Sequence, residues 1–124
     1  MVGKWRTDIL MERQTLMPDD ALQYFAGDGS DAPDQAARFL KSLAHRDRLK
    51  VLCCLIDKEL SVAEIETRVG ASQSAVSQHL TKLKDEGMLQ SRREGRQMFY
   101  SIADPTVLAL IGLLYRRFCE GGAG

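Results

Sequence analysis

The segment ELSVAEIETRVGASQSAVSQHLTKLKDEGMLQSRREGRQMFYSIADP, residues 59–105, decides the fold. Ser61 and, three residues later, Glu64 form a capping-box pattern that predicts the start of a helix. Gly70 predicts its end, because glycine tolerates the left-handed backbone that closes many helices. Ser72 predicts the N-cap of a second helix directly afterwards. Two helices joined by so short a turn indicate a helix-turn-helix.

The second of these helices has one apolar and one polar face. Val76, Leu80 and Leu83 recur at helical spacing and predict a stripe that faces the core, and Gly87 predicts the end of the helix. The opposite face carries short polar side chains and one lysine: Gln73, Ser74, Ser77, Gln78, Thr81 and Lys82. A helix with these two faces covers a core on one side and is open to a polar partner on the other.

A β-hairpin and a final helix follow. The runs MLQSRRE and RQMFYSI alternate like strands, and Glu94 and Gly95 between them predict the turn. Asp104 as N-cap and Pro105 at the first helical position predict a last helix, which extends to about Cys119. This helix has a second apolar stripe that its own core does not need. We therefore expect a homodimer, in which a second copy of the chain covers that stripe.

Two helices are predicted upstream of the helix-turn-helix. Asp34 is the expected N-cap of the first, and the second extends from Asp47 to Lys58 with apolar side chains on two sides, which indicates a central position. The full order is helix, helix, helix-turn-helix, hairpin, helix. It predicts a mainly α fold class with a β-hairpin wing, a dimeric winged helix-turn-helix.

The 124 residues are enough for one domain. We expect an N-terminal extension, partly helical, over residues 1–33, a winged helix-turn-helix domain for DNA binding and dimerisation over 34–119, and a flexible tail over 120–124. The 17 basic and 17 acidic residues balance, but residues 1–34 carry a net charge of −4 and the remaining 90 a net charge of +4. The mildly basic body permits a polyanionic partner.

Composition and motifs exclude several functional classes. The longest apolar runs, Val51–Ile56 and Val107–Tyr115, are far below the roughly 18 to 20 residues that span a bilayer. Charges throughout the first residues argue against a secretory signal peptide, so we expect a cytoplasmic protein with no membrane partner. Paired catalytic groups and glycine-rich phosphate motifs are missing from the sequence, so we expect neither an enzyme nor a cofactor.

The polar helix face and the hairpin have the chemistry of a surface that binds double-stranded DNA. Ser, Thr, Gln and His side chains donate to or accept from base edges in the major groove. Arg92, Arg93 and Arg96 lie around the hairpin tip, where guanidinium groups meet phosphates or the minor groove. A winged helix that docks another protein through its hairpin is the alternative, and an affinity that falls steeply with salt distinguishes DNA binding from it.

The segment LKSLAHRDRLKVLCCL, residues 40–55, and the block SQSAVSQHL, residues 72–80, resemble the ArsR/SmtB family of bacterial dimeric winged-helix repressors. The resemblance covers about residues 34–119. It implies a homodimer that represses transcription by occupying a palindromic operator and leaves it when a chemical signal binds. It also implies a recognition helix whose DNA-binding residues are Ser72, Gln73, Ser74, Ser77, Gln78, His79, Thr81 and Lys82.

Family members that sense metals carry a cysteine pair at the start of the first motif helix or Asp and His ligands along the last helix. This sequence has Ser61 and Ala63 at the first location and Thr106, Arg117 and Glu120 at the second. Thiolate and imidazole ligands are therefore missing from these places, and we expect no metal site there.

Cys53 in the central helix and Cys119 at the end of the last helix match the dithiol branch of the family. The resemblance implies that reactive sulfur species, in particular persulfides, link the two cysteines and so relieve repression. A peroxide or general thiol-redox signal and arsenite remain the alternative inducers for a repressor of the same fold.

Three other side chains receive structural interpretations. Cys54 lies about 100° around the helix from Cys53 and is interpreted as a small buried hydrophobic side chain. Whether it competes as a partner in the sulfur chemistry is left open. His45 is expected to cap or solvate a helix junction, and His79 to be a polar group on the DNA side. We interpret the two histidines as isolated, so they do not form a metal site.

Overall fold

The structure is a computed structural model that describes residues 31–120. The N-terminal extension up to residue 30 and residues 121–124 of the tail lie outside the described residues. The chain divides into two compact units, Met1–Leu40 and Lys41–Gly124. Within the described range, every strand and all helices but the first belong wholly to the second unit.

Helix α1, Ala32–Leu43, begins earlier than predicted. The amide of Gln35 donates to the carbonyl oxygen of Asp31 at 2.9 Å, which closes the first turn ahead of Asp34. The prediction of Asp34 as N-cap is therefore wrong, and this residue lies in the first turn instead. A carboxylate there still interacts favourably with the positive end of the helix dipole.

Helix α2, Arg46–Cys54, is shorter than predicted. The chain turns after Cys54, and Asp57 adopts a left-handed backbone with φ 56°. Aspartate tolerates this conformation better than most residues, which explains why the helix does not continue to Lys58 as predicted. The central position of α2 is confirmed, because its side chains reach the core and it packs against the next two helices and the last one.

The helix-turn-helix consists of α3, Val62–Val69, and α4, Gln73–Asp85. The predicted capping box is present: the amide of Glu64 donates to Ser61 Oγ at 3.2 Å, and the amide of Ser61 donates to Glu64 Oε1 at 2.9 Å. Gly70 closes α3 in a left-handed conformation with φ 76°. Ser72 caps α4 by accepting from the amide of Ala75 at 3.1 Å. Local sequence therefore sets both ends of the turn.

Three antiparallel strands form the wing: β1, Leu60–Ser61, β2, Leu89–Glu94, and β3, Gln97–Ile102, in the order β1-β3-β2. The hairpin is confirmed, but its turn lies one residue later than predicted, at Gly95 and Arg96. Strand β1 is not in the sequence-based prediction, because a two-residue strand whose second residue is also a helix cap has no periodicity to detect.

The last helix, α5, spans Pro105–Tyr115 and begins as predicted, with Asp104 Oδ1 accepting from the amide of Thr106 at 2.8 Å. A π-helical turn, Arg116–Glu120, continues it. The buried core draws on the end of α1, on α2 to α5 and on the strands with their adjoining residues: Leu43, Val51, Leu52, Leu55, Leu60, Ile65, Val69, Val76, Leu80, Leu83, Met88, Leu89, Val107 and Ile111. Together these elements form a winged helix-turn-helix, mainly α with a β-hairpin wing, as the sequence predicted. Among residues 31–120, no helix has the length and apolar character needed to cross a membrane.

Candidate DNA-binding surface and thiol pair

The buried stripe of α4 fixes which of its side chains face outward. Val76 and Leu83 are fully buried and Leu80 is nearly so, which orients the helix against α2 and α3. The polar side chains predicted to face outward are all exposed: Gln73, Ser74, Ser77, Gln78, Thr81 and Lys82. A shallow depression along this face is lined by Ser77, Gln78, Thr81, Lys82 and Asp85. The helix therefore offers a continuous row of donors and acceptors of the kind that reads base edges.

Two residues of the proposed DNA-binding set also have structural contacts. Ser72 is exposed, and its hydroxyl oxygen caps the helix. Lys82 Nζ lies 3.3 Å from Glu86 Oε2, one turn further along the same helix. An exposed pair of this kind contributes little to stability, so it leaves the lysine able to exchange a carboxylate for a phosphate.

His79 differs from the rest of the set, because its side chain is half-buried and contacts the start of α2. Its ring centroid lies 4.6 Å from that of His45, so the interpretation of the two histidines as isolated is wrong. Arg48 Nε donates to His79 Nδ1 at 3.3 Å. Burial, followed by the neighbouring His45 and Arg48, lowers the pKa of His79.

His45 has the capping role that the sequence predicted. Its Nδ1 accepts from the amide of Asp47 at 3.1 Å, which satisfies one of the free donors at the start of α2. Arg48, which the sequence did not single out, connects α1 to α4. Its Nη1 donates to the carbonyl oxygen of Ser42 at 2.9 Å, and its Nε donates to His79 Nδ1. The Arg48–His79 pair is 31 residues apart in sequence, and no local pattern predicts such a contact.

The arginines of the hairpin divide into two kinds. Arg92 is held by two carboxylates: its Nε and Nη2 each lie 2.8 Å from an oxygen of Glu59, and its Nη1 lies 2.9 Å from Glu94 Oε1. These hydrogen bonds raise the pKa of Arg92, and its guanidinium also lies 4.9 Å from the centre of the Phe99 ring. Glu59 is a further residue that the sequence analysis missed, because it is 33 residues from its partner.

Arg93 and Arg96 are exposed at the hairpin tip. Neither forms an ion pair with any of residues 31–120. Their charge is therefore available to an external anion, whereas the charge of Arg92 is already compensated. The sequence grouped the three together, and the structure separates them.

The two proposed sensing thiols lie on α2 and on the turn that continues α5. Cys53 is half-buried in α2, and Cys119 is exposed in the π-helical turn that continues α5. Helices α2 and α5 are in contact. Burial, and after it the neighbouring Cys119, raises the pKa of the Cys53 thiol. The fold thus brings two cysteines from distant parts of the sequence near enough for their charges to interact.

Cys54 points elsewhere. Its Sγ donates to the carbonyl oxygen of Val51 at 3.1 Å, inside its own helix. Burial raises its pKa, and neighbouring Arg68 opposes that rise. These contacts agree with its interpretation as a structural side chain. At the location where metal-sensing relatives carry a cysteine pair, Ser61 is buried and committed to the capping box.

A helix-turn-helix with an exposed polar second helix and a basic hairpin beside it defines a winged-helix DNA-binding regulator. Comparison with known proteins agrees. Residues 45–91 match the model of the family described as "Bacterial regulatory protein, arsR family". The transcriptional activator HlyU of Vibrio cholerae is 43% identical over 86 residues, which are 69% of this chain and 80% of HlyU. The chain therefore belongs to the ArsR family and is a transcriptional regulator, not an enzyme.

Two other relatives and one solved structure extend the comparison. A biofilm growth-associated repressor of Xylella fastidiosa is 36% identical over 86 residues, covering 69% of this chain and 75% of the repressor. The structure of reduced HlyU from V. cholerae matches with a TM-score of 0.68 and 42% identity over 70% of this chain and 92% of HlyU. A homodimeric winged helix-turn-helix DNA-binding domain from Mycobacterium bovis matches with a TM-score of 0.62 and 36% identity, over 72% and 85% of the two chains.

Proposed function

We propose that this protein is a homodimeric repressor that binds double-stranded operator DNA in its reduced form and releases it when a persulfide links Cys53 to Cys119. The observation that carries the proposal is that α2, which holds Cys53, packs against α5, whose continuation holds Cys119, and that the two thiols are near enough for the charge of one to raise the pKa of the other. The proposed DNA-binding and dimerisation domain is the one expected over residues 34–119.

The DNA-binding part of the proposal is supported by the exposed face of α4. Side chains such as Ser77 and Gln78 meet base edges if the helix enters the major groove, and glutamine pairs bidentately with adenine. Arg93 and Arg96 at the hairpin tip then contact phosphates or the minor groove. Arg92 contributes by anchoring the hairpin through its carboxylate partners, so its own contact with DNA is the weakest of the three.

Dimerisation is supported by the apolar surface at the end of α5. Tyr115 and Phe118 are 44% and 65% exposed, which is unusual for large apolar side chains. Leu108, Leu110 and Leu114 are only half-buried in a single chain. A second copy of α5 across a two-fold axis covers this surface, and the related M. bovis domain is described as homodimeric.

The sulfur chemistry proceeds in two balanced steps. Cys119 is exposed, so its thiolate meets the inducer first and attacks the outer sulfur of a low-molecular-weight persulfide, RSSH. The products are a Cys119 persulfide and the thiol RSH. The Cys53 thiolate then attacks the inner sulfur of that persulfide and expels HS⁻. Two protein thiols are oxidised to a disulfide, the transferred sulfur is reduced to sulfide, and RSSH is converted to RSH and H₂S.

A link between Cys53 and Cys119 constrains helix α2 against the end of α5. Helix α2 also packs on the recognition helix α4, and α5 supplies the proposed dimer surface. A change at their junction therefore alters how the two recognition helices of the dimer are placed relative to each other. Half-sites lie one DNA turn apart, so a small change in that placement weakens binding to both at once.

The test treats reduced protein on its promoter DNA with an organic persulfide, hydrogen peroxide, glutathione disulfide or arsenite, and follows both DNA release and the mass of the intact protein. We expect the persulfide to release DNA most effectively, with sulfide produced and a Cys53–Cys119 link in the mass spectrum. Release by peroxide at the same efficiency would instead identify a general thiol-redox regulator, and release by arsenite with arsenic added to the protein mass would identify a metalloid-responsive one.

Three serine variants locate the response. Cys53→Ser and Cys119→Ser proteins are expected to bind DNA but to remain bound after persulfide treatment. Cys54→Ser is the matched control, since it removes the neighbouring thiol and should respond like the unmodified protein. A Cys119→Ser protein that still leaves DNA normally would contradict the dithiol mechanism. DNA binding that fails to weaken with salt would contradict the repressor function itself and favour a protein-docking module.

A further inference from the structure

The junction between the start of α2 and the middle of α4 gathers three potential metal ligands. His45 precedes α2, Asp47 lies in its first turn, and His79 comes from the recognition helix. One ligand atom from each residue lies within 4.8 Å of those of the other two. Zn–N and Zn–O bonds are roughly 2.0 to 2.2 Å long, so ligand atoms around one tetrahedral ion lie about 3.3 to 3.6 Å apart. Side-chain rotations on the order of 1 Å therefore close the three groups around an ion.

We propose that His45, Asp47 and His79 form a binding site for a divalent transition metal ion of the zinc class, which joins helix α2 to the recognition helix. Two imidazoles and one carboxylate suit Zn²⁺, Co²⁺, Ni²⁺ or Cu²⁺, whereas Ca²⁺ and Mg²⁺ require more oxygen ligands. Three protein ligands leave a further coordination position for water.

In both imidazoles the lone pair lies on Nδ1, where it accepts a hydrogen bond. His45 Nδ1 accepts from the amide of Asp47, and His79 Nδ1 accepts from Arg48 Nε, so each of these nitrogens is unprotonated. An unprotonated histidine nitrogen is the metal-binding form.

Metal binding exchanges these hydrogen bonds for coordination bonds. A neutral imidazole has one lone pair and one N–H group, so a ring that gives its lone pair to the ion can no longer accept at the other nitrogen. The ion thus displaces both the Asp47 amide and Arg48 Nε, and Arg48 keeps its bond to the carbonyl oxygen of Ser42 at 2.9 Å. Glu86 also lies near Arg48: a hydrogen bond from Ser42, then the hydrogen bond and charge of Lys82, and last the charge of Arg48 lower the pKa of Glu86.

The site is distinct from the thiol pair and can be tested without DNA or persulfide, so its failure leaves the proposed function untouched. The full-length reduced protein is titrated with Co²⁺ under anaerobic conditions, and Zn²⁺ is then used to displace it. The chain has two histidines, and both are in this cluster. We expect saturation near one equivalent per chain, weak visible bands of nitrogen and oxygen ligation without a thiolate charge-transfer band, and shifts of both imidazole NMR signals.

Variants separate the site from other ligands. His45→Asn keeps a side chain that caps helices, Asp47→Asn keeps the size of the side chain and the backbone amide, and His79→Gln keeps a polar group. Each variant is expected to weaken Co²⁺ binding at least tenfold while the circular dichroism spectrum is unchanged. The matched control is the Cys53→Ser/Cys119→Ser protein, which should bind Co²⁺ as before. A charge-transfer band that disappears in this control would overturn the proposal, as would undiminished binding in the three variants or no saturable binding by the folded protein.

Discussion

Helices α4 and α5 are similar in length, 13 and 11 residues, and each buries one stripe in the same core. Helix α4 buries Val76, Leu80 and Leu83, and its opposite face is polar. Helix α5 buries Val107 and Ile111, and exposed aromatic side chains lie at its end. The buried stripes of both helices stabilise the same fold, whereas their outer faces differ in the kind of partner that they can bind. A row of donors and acceptors suits nucleic acid, and an apolar surface suits a second protein chain.

The largest expected effect on stability comes from a change in the buried apolar stripe, a feature that both helices have. Leu80→Ala leaves a cavity in the core and should lower the free energy of unfolding by roughly 2 to 5 kcal/mol. Gln78→Ala, on the outer face of the same helix, should change it by no more than about 0.5 kcal/mol. Urea denaturation at a fixed protein concentration measures both. Equal losses in the two variants would show that the polar face of α4 is part of the fold and not a free surface.

The outer face of α5 is tested by the Tyr115→Glu/Phe118→Glu protein. Burial of each such side chain contributes about 1.5 to 3 kcal/mol, so the double change should weaken dimerisation by at least roughly a hundredfold. Sedimentation velocity over a dilution series gives the dimer dissociation constant. The control is Lys84→Glu on α4, which also changes charge on an exposed helix and should leave dimerisation unchanged. A dimer that survives the double change would place the interface on another surface.

The outer face of α4 is tested by the effect of Gln78→Ala on DNA. Loss of one bidentate contact with a base should weaken operator binding by about 1 to 3 kcal/mol and leave non-specific DNA binding unchanged. Fluorescence anisotropy with operator and scrambled duplexes at the same salt concentration measures both. Thr67→Ala, an exposed change on α3, is the control. Equal weakening on both duplexes would mean that Gln78 contacts the DNA backbone instead of a base.

The hairpin arginines extend the comparison to charge. Arg93→Ala and Arg96→Ala should each reduce the slope of log affinity against log salt by about 1. Arg92→Ala should reduce it less, because Glu59 and Glu94 already neutralise this side chain. Binding measured at several salt concentrations gives the three slopes. If the Arg92 slope changes as much as the others, its carboxylate pairs open when DNA binds.

The smallest expected effect is a pH dependence of folding from His79. Because its pKa is lowered in the fold, the neutral ring stabilises the folded state above the ordinary value of 6.5, and this contribution is lost as pH falls through that range. His45 and Arg48 add to the lowering, and Asp47 opposes it. The unfolding free energy of the His79→Gln protein should therefore vary less between about pH 8 and pH 5 than that of the unmodified protein. A steeper variation in the variant would reverse the sign of this coupling.

The sequence predicted features that depend on neighbouring residues and missed those that depend on the assembled fold. The caps at Ser61, Ser72 and Asp104 were predicted correctly, because a cap involves side chains and amides two or three residues apart. The exposed polar face of α4 followed from helical periodicity in the same way. By contrast, the pairing of His45 with His79 depends on how α2 and α4 pack, and no repeat or spacing encodes it.

The predicted end of α2 was wrong for a related reason. Apolar periodicity continues through Leu55 and Ile56, so the pattern predicts further helix, but the backbone turns at Asp57. The separation of Arg92 from the other hairpin arginines depends on Glu59, which reaches it only after the sheet has formed. Charge counted along the chain therefore overstates the positive charge that the hairpin presents.

Cys119 lies in the π-helical turn Arg116–Glu120, so the direction in which it points depends on the number of residues in that turn. Each residue of an α-helix advances by about 100°, and a segment bonded from residue i to i+5 advances by less. Removing one residue from this turn would tighten it to α-helical geometry and move Cys119 to a different side of the helix axis, although the cysteine itself is kept. Insertions and deletions at the end of α5 are thus expected to abolish the proposed thiol response as completely as loss of a cysteine, while leaving the exposed face of α4 unchanged.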